Sequence, residues 1–425
     1  MVVSRDGMAF VILLLLWARG VGSYLAVSLT TEKVALPSGG EWVGSPAGTV
    51  VSQGAYLLVI ALSSVAILFR INDLPRPGLW RLSVMLLPWL WLLIRDAYSG
   101  QAFPDSLLYP FVVLAVAALR PSRRLLGAVG VLVGTTALIA LVLGWALPTA
   151  GLMRTADGEI FERPEKEILP FGGLLQGMFF SENTMAAFLS VGLACVFAIR
   201  ATWLRAGSVI VTVFALLWSS SRGGLIAASI VVAVGALVGL LVAYGRRAAA
   251  SRWARVVAFG VFAGVAVLPF LGWSDSAFSA RGVIWRVSIA QWAERAFWFG
   301  MDSNWYTRVA QSETSPFHSG AVYAHNDVLQ MLVTGGIVMG LLFVAWYVVV
   351  VLDLTRPDNP SLAVAAMLVA GIAAGGALEV VTGFVNGSTQ WPVSLFPIAV
   401  LFFARRPTEG GALWLGDRDP SASRI

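Results

Sequence analysis

The 425-residue chain is 58% hydrophobic and only 12% charged, with a formal net charge of +6 and a mean hydropathy of +0.80. A water-soluble fold of this size needs far more polar surface, so the composition excludes a soluble globular protein and indicates a polytopic membrane protein. The surplus of base is distributed as a positive-inside bias, so membrane lipids are expected partners and nucleic acid is not.

The first thirty residues have a basic start and an apolar core, like a signal peptide. They lack a small-x-small cleavage site and further apolar runs follow, so the sequence predicts an uncleaved first span. Runs long enough to cross a bilayer, with shorter ones tolerated, fall at 8–30, 49–69, 79–95, 105–119 and 125–147. They resume at 183–199, 206–221, 223–244, 254–272, 328–352, 361–383 and 391–404. The expected class is therefore an all-α polytopic integral membrane protein of about 12 transmembrane helices with two long outer loops. Its parts are N-terminal spans (1–147), an outer loop (148–182), central spans (183–272), a longer outer loop (273–327), C-terminal spans (328–404) and a tail (405–425).

Arginines mark every second connection: Arg70, Arg76 and Arg81; Arg120, Arg123 and Arg124; Arg200 and Arg205; Arg246, Arg247, Arg252 and Arg255; Arg356; and, after the last span, Arg405 and Arg406. The positive-inside rule then makes those connections and both termini cytoplasmic, and places the two long loops outside. In the longer loop, Arg281–Gly300 mixes Trp285, Trp292, Phe297 and Trp298 with Arg281, Arg286 and Arg295. It reads as an amphipathic helix lying in the outer interface, with the tryptophans as interface anchors.

The single cysteine, Cys195, has no partner, and with two histidines it makes a dedicated zinc site improbable. Glu294, Asp302, Glu313 and Asp327 are scattered with no Asp-x-Asp cluster, so neither a metal nor another cofactor is expected.

Three features on the outer side carry chemistry. His325 precedes a long apolar run, with Asn326 or Asp327 as the helix N-cap. Ser219-Ser220-Ser221-Arg222-Gly223-Gly224 forms a tight outer turn whose backbone N–H groups and space suit a diphosphate. Arg281 and Arg286 open the interfacial helix, and a guanidinium fork matches phosphate oxygens. Blander readings stand beside these: Arg222 snorkels to the interface, Arg281 and Arg286 pair with lipid phosphates, and His325 merely neighbours a cap. His318 is read as an ordinary loop histidine. Gly336 and Gly340 form a small-xxx-small pair that lets a second helix approach. Chemically, arginines could hold a departing diphosphate while a neutral histidine takes a proton from an acceptor hydroxyl.

The ordered set from Leu174 to Leu342 resembles the O-antigen ligase/polymerase superfamily of bacterial membrane glycosyltransferases. The resemblance rests on Phe180-Ser181-Glu182-Asn183, Ser221-Arg222-Gly223-Gly224, Arg281 with Trp285, His325-Asn326, and Gly336. It implies an outward-facing, metal-independent enzyme of the cytoplasmic (inner) membrane. The implied donor is an undecaprenyl-diphosphate-linked glycan; the implied acceptor is a glycan or lipid A-core hydroxyl. By position, Arg222 and Arg281 would bind the diphosphate, with Ser221, Arg286 and Asn326 lining the substrate, and His325 would activate the acceptor. A polymerase that extends lipid-linked repeats is the nearest alternative. A lipid-linked sugar flippase is the rival class, disfavoured because the span centres are nearly free of charge.

Overall fold

The computed structural model describes residues 4–30, 45–70, 72, 78–101, 104–154, 159–310, 312, 323–385 and 389–405. Helices dominate, in the order α1 (Arg5–Trp17), α2 (Ser23–Thr30), α3 (Pro46–Arg70), α4 (Leu79–Tyr98), α5 (Leu108–Leu119), α6 (Leu125–Ala146), α7 (Pro148–Gly151) and α8 (Glu182–Val196). They continue as α9 (Thr202–Ser219), α10 (Arg222–Ala243), α11 (Arg247–Val267), α12 (Ala277–Arg295), α13 (Trp305–Ala310), α14 (Asp327–Leu354), α15 (Leu362–Gly375) and α16 (Leu395–Phe403). Among the described residues there is no strand beyond two isolated bridges.

Each of the twelve expected stretches holds a helix, but among the described residues seven helices are long and apolar enough to cross a membrane, so the expected count of about twelve spans is not reached. Asp105–Leu119, Glu182–Val196 and Leu362–Gly375 are shorter. The 361–383 stretch falls short because its helix stops at Gly375, and the chain beyond it enters the site described below.

Polar caps sort the helix ends. Ser181, Ser221 and Asn326 each accept a hydrogen bond from the first turn of α8, α10 and α14, which satisfies a backbone donor that the helix leaves free. At the opposite end of the bundle arginines close the termini. Arg81 pairs with Asp353 and donates to the Phe402 carbonyl, while Arg247 donates to the carbonyls of Pro357 and Asn359. Arg405 binds Asp6 and the Arg120 carbonyl. Arg81, Arg247 and Arg405, which the sequence assigns to one face, thus gather at one end of the bundle, and the caps of α8, α10 and α14 at the other.

Among the described residues a buried charge lies within the first span. A π-helical turn, Ala18–Gly22, joins α1 to α2 and carries Arg19 inward, 6% exposed. Its guanidinium meets Asp105 at 2.6 Å and lies over the Tyr56 ring at 4.9 Å. A buried arginine persists in such a place because it is paired.

Gly336 serves a different purpose from the expected close helix contact. It has φ +70° and breaks α14. Into the break comes the chain after α12. Met301 N–H donates to the Val333 carbonyl (2.7 Å), Trp91 Nε1 to the Gly335 carbonyl (2.8 Å), and Ile337 N–H to the Phe297 carbonyl (2.9 Å). The groups freed by the break are thereby satisfied within the protein, the condition for irregular backbone at membrane depth. A Cβ at Gly336 would collide with the Trp298 carbonyl, on a backbone that L side chains rarely adopt. Gly336→Ala is therefore expected to cost at least about 2 kcal/mol of stability. It should lower the detergent-solubilised melting temperature by several degrees, and a melting curve matching that of the parent would refute the assignment.

Candidate active site

The site is assembled where α14 begins. Asn326 caps α14 through Oδ1, while its Nδ2 donates to the Val265 carbonyl at the end of α11 (3.0 Å) and to Ala377 (3.2 Å). Asp327 N–H donates to the Gly376 carbonyl (2.9 Å), and Asp327 Oδ1 accepts from the N–H groups of Val381 (3.1 Å) and Thr382 (3.3 Å). These bonds stitch the chain after α15 onto the first turn of α14. The stitched segment carries Glu379 to His325. Asn326, expected to line substrate, is fully buried with its amide hydrogen-bonded to the protein.

His325 itself sits at φ +51°, in the left-handed region that a non-glycine residue seldom occupies. Such a conformation persists only where surrounding bonds fix it. Here the Trp285 indole donates to the Ala324 carbonyl (3.0 Å), and Ala324 N–H donates to Gln330 Oε1 (2.8 Å). The imidazole is one-fifth exposed and places Nδ1 3.4 Å from Glu379 Oε1.

Glu379 is the hub. Arg281 Nη2 meets Oε1 at 2.8 Å, and the Tyr323 hydroxyl donates to Oε2 at 2.8 Å. The Tyr323 ring also lies against the imidazole, with centroids 4.2 Å apart. Burial pushes the Glu379 carboxyl up, but His325, the Arg281 guanidinium and the Tyr323 hydroxyl more than offset it, so it lies below the usual carboxylate range. Burial pushes the His325 imidazole below its ordinary value; contact with Glu379 opposes this and Arg281 adds to it. At neutral pH the carboxylate is charged and the imidazole is neutral. With Nδ1–H directed at Glu379, Nε2 carries a lone pair and can accept a proton.

The expected arginines separate into three situations. Arg281, expected to grip a diphosphate, is 8% exposed and engaged with Glu379 and the Phe278 carbonyl. Its position follows from three consecutive left-handed residues, Phe278, Ser279 and Ala280. Arg286 is exposed and holds Asp275 with both carboxylate oxygens, at 3.0 and 2.8 Å. That pairing holds the Asp275 carboxyl below its ordinary range. Arg222 is exposed on the first turn of α10 and has no ion-pair or hydrogen-bond partner among the described residues. The helix N-terminus beside it adds a further positive potential.

Ser221 does double service: its hydroxyl caps α10 and donates to Asn183 Oδ1 at 2.7 Å. A side chain at Gly223 would press on Leu378, the residue before Glu379, so α10 begins close against the Glu379 segment. Ser221, Arg222, Arg281 and His325 therefore converge at one end of the bundle; Arg286 stands at its margin. His318 lies outside the described residues.

One face of α12 packs on protein. Arg281, Ile284, Trp285, Ser288 and Trp292 are buried on one face, and the Tyr306 hydroxyl donates to Ser288. Trp285 and Trp292 are thus not interface anchors; Trp298 remains exposed.

Residues 207–345 match the family model described as O-antigen ligase. That segment, about a third of the chain, is similar to the O-antigen ligase family. No curated protein matches it. The matched segment includes Ser221, Arg222, Arg281, Arg286, His325 and Asn326, whereas Glu182 and Glu379 lie on either side of it. The similarity supports an enzyme of the ligase or polymerase type, with a lipid-linked glycan and an acceptor as general partners. Sequence reasoning passed over Glu379 and Tyr323. The signal for Glu379 was present: a lone carboxylate in an otherwise apolar stretch marks a functional position.

Proposed function

We propose that the protein is a metal-independent glycosyltransferase of the O-antigen ligase type. It moves a glycan from an undecaprenyl-diphosphate donor to an acceptor hydroxyl on the outer face of the cytoplasmic membrane. The observation that carries this reading is the His325 imidazole, backed by the Glu379–Arg281 ion pair at the end of the bundle where α10 presents the exposed Arg222. In the reaction the acceptor oxygen attacks the anomeric carbon, and its proton passes to His325 Nε2. The bond from that carbon to the phosphate oxygen breaks, and the lipid diphosphate leaves with the electron pair. Arg222, with the α10 N-terminus, stabilises the charge on the leaving diphosphate. Arg281 fixes Glu379, which orients the imidazole and stabilises the imidazolium that forms.

The experiment is transfer from a synthetic undecaprenyl-diphosphate glycan by the purified chain, with lipid A-core or a second lipid-linked repeat as acceptor and products read by mass spectrometry. A polymerase gives lengthened lipid-linked glycan; no product with either acceptor removes the reading. Orientation is tested in intact cells. A cysteine at Ser312 is expected to react with a membrane-impermeant maleimide, and one at Ala248 is not. The reverse pattern would put His325 on the wrong side for this donor.

A further inference from the structure

A carboxylate stands where an anion-binding site should not want one. Glu182, on the first turn of α8, is 4% exposed, and its field reaches His325. Its Oε1 accepts from Asn183 Nδ2 at 2.9 Å, and Asn183 in turn accepts from Ser221, the residue before Arg222. The same Oε1 receives Lys166 Nζ at 2.7 Å. Lys166 comes from the outer loop, far from the matched segment in sequence.

That loop is seated on the α9–α10 turn by bonds of its own. Ile168 N–H donates to Ser220 Oγ (3.0 Å), and the Trp218 indole donates to the Gly173 carbonyl (3.2 Å). The Phe171 ring packs edge-on to Trp218 at 5.1 Å. Lys166 thus reaches Glu182 from a loop seated on the turn that presents Arg222.

Charge then decides what the pair does. Around the site stand the cations Arg222, Arg281 and Lys166 and the carboxylates Glu182, Glu379 and Asp327; His325 and Tyr323 are neutral. With Lys166 in place the Glu182 charge is balanced by its own cation. Without it the cluster loses one positive charge, and Glu182 repels any anion that approaches Arg222. We propose that Lys166 is a positioning residue of the candidate site: by neutralising Glu182 it admits a diphosphate to Arg222, and it makes anion affinity depend on the seating of the outer loop. This rests on the diphosphate reading above and adds a regulatory element to it.

The test uses the full chain in nanodiscs with sugar-free undecaprenyl diphosphate as the probe, titrated at low ionic strength. Lys166→Met is expected to weaken binding about tenfold, the scale of one unit charge at partly screened distance. Glu182→Gln should bind at least as well as the parent. The double variant should return to within about threefold of the parent, because removing the carboxylate removes the need for the lysine. A double variant as weak as Lys166→Met overturns the proposal, since the lysine would then act directly or only hold the loop.

A second readout needs no lipid. With two histidines in the chain, His318→Gln leaves His325 as the sole imidazole for NMR titration. In that background Lys166→Met should raise its midpoint and Glu182→Gln should lower it. A midpoint that neither substitution moves overturns the charge role. If the parent chain fails to bind the lipid diphosphate while the midpoints shift as expected, the diphosphate reading is what fails.

Discussion

Replacing His325 with alanine is expected to cut turnover by about 10²–10⁴-fold, the usual contribution of a general base, while donor binding stays near the parent value. Arg222→Lys should behave differently. Lysine keeps the charge but loses the planar fork, so both turnover and donor affinity should fall. Losing such a group typically costs about 3 kcal/mol of transition-state stabilisation, roughly a hundredfold in rate. The contrast follows from the geometry. On the proposed reading Arg222, exposed and without a partner among the described residues, is open to a ligand before reaction, whereas His325 acts only as the acceptor proton moves. Donor binding and single-turnover rates measured side by side decide it. A His325 variant that loses donor binding as badly as the Arg222 variant would end the general-base assignment.

Legibility in the sequence followed the range of the forces involved. The cap at Asn326 is local, decided within one turn, and could be read from its place before the apolar run. So could the sorting of arginines, because a charge at a helix end is tied to the side on which the chain turns. The partners of Arg281 could not. A long guanidinium reaches either lipid phosphate or protein carboxylate, and only the stitching of Asp327 to Val381 and Thr382 brings Glu379 within its reach. Gly336 shows the same limit. Its spacing from Gly340 marks a need for small residues, but whether a helix or an inserted loop exploits it depends on residues some forty positions upstream, Phe297 to Met301. The hydropathy of 361–383 hid Glu379 for a related reason: one carboxylate scarcely changes the average of a long apolar window, although energetically it is the residue that most needs explaining.

Glu379→Gln is the second change with a large expected effect, and pH separates its role from simple damage. His325 works as a base only when neutral, so activity should rise with pH along an acid limb that follows the imidazole. Burial sets that limb below the ordinary histidine value, and the parent enzyme should already be on its plateau at neutral pH. Glu379 favours the charged imidazole; removing its charge should move the limb to lower pH. The plateau should fall by about 10²-fold as well, because the imidazolium formed during transfer loses its counter-ion and the ring its orientation. Arg281→Met should shift the limb the other way. It removes a positive neighbour of His325 and leaves Glu379 free to hold the proton on the ring. Opposite displacements of the acid limb in the two variants would identify a working carboxylate–histidine pair. Limbs that stay together while both plateaus fall would mean that Glu379 and Arg281 only hold the fold, and the base would have to be sought elsewhere.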